Sequence, residues 1–433
     1  MLESLVAAFR IPELKRRILF DLGMFAVFGL GAHIPVPGVD HRAVERVFGG
    51  AGGLLGLVDV FSGGALRRMS LFAMGITPYI NASIIMQMLT LAIPQLEALS
   101  KEGEAGRKQI AKITRYLTIG LAFFQAIGFS MVFRSSGVHT PLPAMVQMWI
   151  CMTAGTCFLL WIGEQITENG IGNGVSLVIF AGILLSLPYQ TSLVVKQVRD
   201  GVVGWPGVLV LGVIFVLTVL GIVYVTQGQR KIPIQHAKRV VGMRVTQGGS
   251  SFLPIRVNTA GVIPIIFAIS MMLLPAQILG VIPAAPTSFV ARLKTWALML
   301  SPGATWWASL AYVVLIIIFT YFYTAVIMNV QDMADNLRKY GNYIPGIRPG
   351  KPTFDYLDRV VSRITLAGAV FLAAVALVQY LAPDITGVRS FGLIGGTSLL
   401  IVVGVTIETM QAIEAQMLMR NYEGFIKSSP IGS

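Results

Sequence analysis

The chain has 433 residues, of which 55% are apolar and only 12% charged, with a formal charge of +13 and a mean hydropathy of +0.74. Soluble domains carry roughly 25% charged residues, so the composition excludes an ordinary globular enzyme. It points to an all-α polytopic membrane protein.

A crossing helix needs about 20 apolar residues. Ten runs meet that need along the chain, centred near Phe28, Ser83, Phe124, Thr156, Phe180, Phe215, Ser270, Ile317, Ala374 and Val402. The first has no convincing cleavage site and is expected to remain in the mature protein. The fifth is expected to be short and to end at Leu187. An even number of spans puts both termini on one side. Before the first span and in every second loop the Lys and Arg sum to 23, against 10 on the other side, so both termini are expected in the cytoplasm.

Between the first and second runs, Leu54, Leu55, Leu57, Val58, Asp59, Val60 and Phe61 make an apolar segment far too short to span. Gly49, Gly50, Gly52 and Gly53 precede it, and Gly63 and Gly64 follow. Such flanks permit unusual backbone angles and movement as a unit. A loop helix packed on the outer surface is the plainer alternative.

Several chemistries are missing. Gly346 to Thr353 reads GIRPGKPT, which has the wrong spacing for a phosphate-binding loop, so no enzyme and no nucleotide cofactor are expected. His33, His41, His139 and His236 are scattered. Cys151 and Cys157 are six apart in an apolar helix, so neither a disulfide nor a metal site is expected. Asp21, Glu164, Glu168 and Glu408 all fall near the expected cytoplasmic ends of spans, where capping or snorkelling accounts for them. Midplane acids of the kind that couple secondary transporters to ions are absent from the pattern.

Downstream of the short segment, Phe72 to Met88 reads FAMGITPYINASIIMQM. With ENGIGNGVS at Glu168 to Ser176, NTAGVIPIIF at Asn258 to Phe267, YIPGIRPGKP at Tyr343 to Pro352 and GGTSLLIVV at Gly395 to Val403, it resembles the bacterial SecY family, channel subunits of the Sec translocon. The resemblance runs in order over essentially the whole chain.

The resemblance implies a protein-conducting channel built as a clamshell of two pseudo-symmetric five-helix halves, 1–188 and 207–433, joined by an external hinge loop at 189–206. The short segment then matches a re-entrant plug, about 54–66. A pore ring is implied at Ile76, Ile80, Ile179, Ile183, Ile266 and Ile401. Isoleucines four apart, as at 76/80 and 179/183, share a helix face, a pattern that ordinary core packing also produces. A lateral gate to lipid, between the second and third spans and the seventh and eighth, is implied to include Asn81, Gln87, Asn258 and Leu274; ordinary interhelical hydrogen bonding is the plainer role for the polar members.

Two basic cytoplasmic loops, about 228–257 and 329–362, are implied to dock partners through Lys238, Arg239, Arg244, Arg348 and Lys351. The first of these loops has no acidic residue between Arg230 and Arg256, which suits either topology setting or rRNA phosphates. The implied partners are SecE and SecG subunits, the SecA motor ATPase, the ribosome, signal peptides and nascent chains, and the lipid bilayer. The rival readings are a secondary transporter of small solutes and a membrane scaffold without a sealed pore.

Overall fold

The computed structural model describes residues 9–39, 44, 54–135, 141–236, 239–241, 244–246, 249–282, 289–300, 302–388 and 395–428. Each expected span centre falls in a helix. The helices at the first five expected centres are α1 (Pro12–Gly31), α3 (Thr77–Ala92), α5 (Glu104–Ser135), α6 (Leu142–Asn169) and α7 (Gly174–Arg199). The rest are α8 (Trp205–Gln227), α9 (Ile263–Val281), α11 (Trp306–Ile327), α13 (Lys351–Thr386) and α14 (Thr397–Ser428). The short segment is α2 (Leu54–Phe61), and three further short helices are α4 (Pro94–Lys101), α10 (Phe289–Met299) and α12 (Val330–Lys339).

Among the described residues, seven of these helices are long and apolar enough to cross a bilayer: α5, α6, α7, α8, α11, α13 and α14. An eighth span is counted if α3 and α4, bent by 100° across Ile93, are taken together. α1 carries Glu13, Lys15, Arg16, Arg17 and Asp21 in its first half, which dilutes its apolar character, and the apolar part of α9 is the shorter Ile263–Ala276.

The fifth span does not end at Leu187, and the loop expected over 189–206 is mostly helix. α7 continues through Pro188 to Arg199, and α8 starts at Trp205. The extension has something to bury: Val194 packs on a cluster formed by Val203, Leu211, Ala382 and Val388 at the far end of the second half. Thr191 Oγ1 and Ser192 Oγ donate to the carbonyls of Leu187 and Tyr189 at 2.9 and 2.6 Å. The connection is thereby reduced to Asp200–Gly204.

The two halves meet where α9 packs against α3 and α5, and where α14 packs against α7. A single apolar core runs through this junction, with Phe28, Phe72, Ile179, Ile265, Tyr312 and Ile401 all buried in it. The segment between α8 and α9 is a hairpin rather than an open loop. Strand β1 (Gln229–His236) pairs antiparallel with β4 (Ser250–Arg256), and between them β2 (Arg239–Val241) pairs with β3 (Arg244–Thr246). A two-residue strand, β5 (Asn342–Tyr343), adds to the other edge of β1.

Close helix approach rests on glycine at a few points. At Gly155 of α6 an added methyl would collide with the Leu71 carbonyl, whereas Gly212 of α8 faces open space. Gly155→Ala is therefore expected to lower stability by about 1–3 kcal/mol through overpacking and Gly212→Ala to leave it near wild type, read as thermal unfolding midpoints in detergent.

Candidate functional site

Four helix starts converge on one constriction. Pro78 sits in the first turn of α3, placing Ile76 at its cap and Ile80 one turn on. α7 is capped by Asn173, whose Oδ1 accepts from the amides of Val175 and Ser176 at 3.0 and 3.3 Å. The turn before it is tied to α1 by Asp21, which accepts from the Ile171 amide at 3.1 Å. α14 starts at Thr397, whose amide and hydroxyl both donate to Gln379 Oε1 of α13, at 3.3 and 2.7 Å. Ile179, Ile266 and Ile401 follow within two turns of their helix starts.

These side chains surround a cavity of about 30 Å³ lined by Phe61, Ile76, Thr77, Ile80, Ile179, Ile266, Ile269, Ser270, Leu273 and Ile401. Five of the six isoleucines named from the resemblance line it. The sixth, Ile183, is buried in the adjoining core, one turn beyond Ile179. Such a volume holds no more than one or two waters, and the wall is almost wholly apolar. It is a dry neck.

On one side the neck opens into two wider cavities of about 430 and 150 Å³, which share Asn173, Ser176, Ile179, Ile263, Ile266 and Tyr323 in their walls. Arg115 and Glu164 line the larger, joined by a 2.5 Å contact from Nε to Oε1. Glu168 lines the larger and Glu408 the smaller. The result is a funnel with charges on its wall and isoleucine at its throat.

The other side of the neck is closed by the end of α2, through Phe61. Val60 and Asp59 are buried, at 1% and 5% exposure. The side chains of Leu54, Leu55, Leu57 and Val58, like Gly49, Gly50, Gly52 and Gly53, lie outside the described residues. Gly63 and Gly64 end α2 in the left-handed region, at φ +73° and +78°, which glycine adopts without strain. Their amides donate to the carbonyls of Val60 and Asp59 at 3.1 and 2.8 Å. On α7, Gly182 lets the Phe61 carbonyl approach where any Cβ would collide. Asp59 Oδ1 accepts from the Arg67 amide at 2.8 Å. Burial raises the Asp59 carboxyl above the usual carboxylate value, against the lowering effects of that amide and of Arg67 and Arg68.

At the junction of the halves, α9 lies against α3 and α5, with α11 behind it. Asn81 is 1% exposed, with neither Oδ1 nor Nδ2 bonded; Gln87 Oε1 and Asn258 Oδ1 are likewise buried without partners. Gln87 Nε2 donates at 3.4 Å to Ser83 on its own helix. Leu274 is half-buried on α9. The interhelical bonds open to these amides as their plainer role are not formed among the described residues.

Of the basic docking candidates, Lys238 lies outside the described residues, as do the side chains of Arg239 and Arg244 in β2 and β3. Arg348 and Lys351 are exposed. Arg348 is set between Gly346 and Gly350, at φ +81° and +103°, with its carbonyl accepting from Thr353 Oγ1 at 2.8 Å. The two loops are one unit: His236 Nδ1 and Asn342 Oδ1 are 2.7 Å apart, and Ile232, Ile255, Val330, Ile344 and Leu357 form a shared core beneath them. The Arg115–Glu164 pair, 49 residues apart in sequence, had no local spacing to mark it.

A sequence model of the SecY family matches residues 70–410. The chain belongs to the SecY family. A protein translocase subunit SecY of Streptomyces coelicolor is 44% identical over 99% of this chain and 100% of its own length. Two solved structures share the fold. A SecY protein whose plug domain is described as stabilising the closed state of its translocation channel superposes with a TM-score of 0.62 at 18% identity, over 95% of this chain and 96% of that one. Sec61 in a canine ribosome-channel complex gives 0.60 at 15% identity, over the same shares. SecY-family membership and the several apolar spans make this a multi-pass membrane protein.

A buried amide with no partner costs about 1–3 kcal/mol. Asn81→Leu, which fills a similar volume without polar atoms, is expected to raise stability of the closed arrangement by that amount, measured as a higher thermal unfolding midpoint than wild type.

Proposed function

We propose that this chain is a passive, gated protein-conducting channel, which passes unfolded polypeptides across a bacterial cytoplasmic membrane and releases apolar helices sideways into lipid. The observation that carries this is the dry neck at the throat of a charged funnel, closed on the far side by Phe61 of a helix too short to span. Branched apolar side chains around a space that holds only one or two waters repel ions by dewetting and yet yield to a moving chain. In this reading Ile76, Ile80, Ile179, Ile266 and Ile401 form the ring, with Ile183 supporting it from behind. The helix Leu54–Phe61 is the plug, and Asn81, Gln87, Asn258 and Leu274 belong to the lateral gate.

The 23 to 10 distribution of basic residues supports cytoplasmic termini and a cytoplasmic funnel mouth. Energy then comes from outside the chain, from a ribosome during synthesis or a SecA motor afterwards, with SecE and SecG subunits completing the channel. The chain itself performs no catalysis. The joined basic loops, with Arg348 exposed in a turn and Lys351 exposed at the start of α13, supply the docking face. The comparisons lend no support to small-solute transport.

Removal of residues 54–65 is expected to convert a quiet channel into one with frequent large ion openings in planar bilayers; equal silence of both, with reconstitution verified, would refute the plugged-channel reading. Arg348→Glu is expected to weaken binding to ribosomes and to reduce the slope of log affinity against log salt by about 1, measured by cosedimentation over a salt series.

A further inference from the structure

The segment that follows the plug helix is pinned at two successive arginines, which reach in different directions. Arg68 Nη1 donates to His33 Nε2 at 2.8 Å, and His33 Nδ1 is 2.7 Å from the Gly29 carbonyl near the end of α1. The Arg67 guanidinium instead lies over the ring of Tyr189 on α7, with Cζ 3.2 Å from the ring centroid. No carboxylate among the described residues is within ion-pair distance of Arg67. Its backbone amide meanwhile holds Asp59 of the plug helix. Met69, two residues on, is forced into the left-handed region at φ +44°, a strained conformation for a non-glycine residue that its surroundings must hold in place. Its carbonyl accepts from the Val36 amide at 2.8 Å.

We infer that Arg67 and Tyr189 form a cation–π latch that positions the plug helix against the constriction. The inference rests on the plug reading above and adds residues to it. A guanidinium over an aromatic face is attracted by the ring quadrupole, and the attraction grows as water is excluded. Arg67 joins both sides of the seal: its main chain grips Asp59 on the plug, and its side chain grips Tyr189 on α7. The same helix carries Ile179 at the neck and, at Gly182, the backbone that the Phe61 carbonyl touches. Movement of α7 as the neck widens therefore carries the Tyr189 ring away from Arg67 and frees the plug in the same step. The helix runs unbroken from Ile179 through Pro188 to Tyr189, which makes this coupling rigid; a loop starting at Pro188 would not transmit it.

The test is single-channel recording of the channel complex in planar bilayers, with deletion of residues 54–65 as the positive control. Tyr189 is 37% exposed, so Tyr189→Leu and Arg67→Gln are each expected to raise opening frequency roughly two- to fivefold, the range a cation–π contact supplies at an exposed ring. Tyr189→Phe keeps the aromatic face and is expected to stay quiet. The double variant is expected to be no leakier than the worse single variant, since both remove one contact. If the deletion opens the channel but Tyr189→Leu and Arg67→Gln stay quiet, the latch is wrong and the plug stands. If Tyr189→Phe leaks as much as Tyr189→Leu, the ring face is not what matters and the latch is again overturned. A silent deletion would remove the plug and the latch together.

Discussion

Hydrocarbon offers no partner to a backbone amide, and each one left unpaired there costs several kcal/mol. The long helices satisfy that constraint within themselves. The stretch from Ser62 to Ile76 cannot, because it is turns rather than helix. It survives by being enclosed in protein and by bonding to itself and to the end of α1. Ser70 donates to Ala65 and Gly75 to Phe72, at 2.9 and 2.8 Å, and Leu71 donates to Ile34 at 2.9 Å. An irregular segment at membrane depth has to be housed by the surrounding helices, and the housing here is the space between α1, α6 and α7. The plug helix and the start of α3 are both delivered by this one enclosed segment.

The neck and the junction of the two halves are closed by different physics. At the neck, apolar side chains meet in a volume too small to hydrate well, so closure follows from packing and dewetting. Near the junction of α3, α5 and α9, Asn81, Gln87 and Asn258 carry buried amide atoms that have no partner among the described residues. A bond between helices in lipid is worth about 0.6–2 kcal/mol, and here even that is not taken. A substrate helix with roughly ten leucine-class residues gains about 3–6 kcal/mol on entering lipid. The junction is thus held by helix packing with unpaired polar groups inside it, an arrangement that an apolar helix can part at low cost.

Much of this was legible in the linear pattern because it depends on run length and on spacing along one helix. All ten span centres fall in helices, and α2 covers Leu54–Phe61 as its length and glycine flanks suggest. The ring isoleucines were named through family resemblance, since Ile76 and Ile80 by themselves read as core. Ile183 shares a helix face with Ile179 but lies one turn further along α7, buried in the core rather than on the cavity wall. The course of 189–199 reads as loop because the apolar run ends at Leu187, while the partner that rewards continuation, the cluster around Leu211 and Ala382, comes from distant sequence.

The sequence by itself determined which segments cross the membrane, which one cannot, and where positive charge collects, because each of these is a sum over neighbouring residues. Tertiary structure alone decided that four helix starts converge on one dry neck, that two basic loops join through β1 and β5, and that Arg67 faces Tyr189 rather than an acid. Those outcomes depend on contacts between residues tens to hundreds of positions apart. Their energies arise only once the intervening helices have packed.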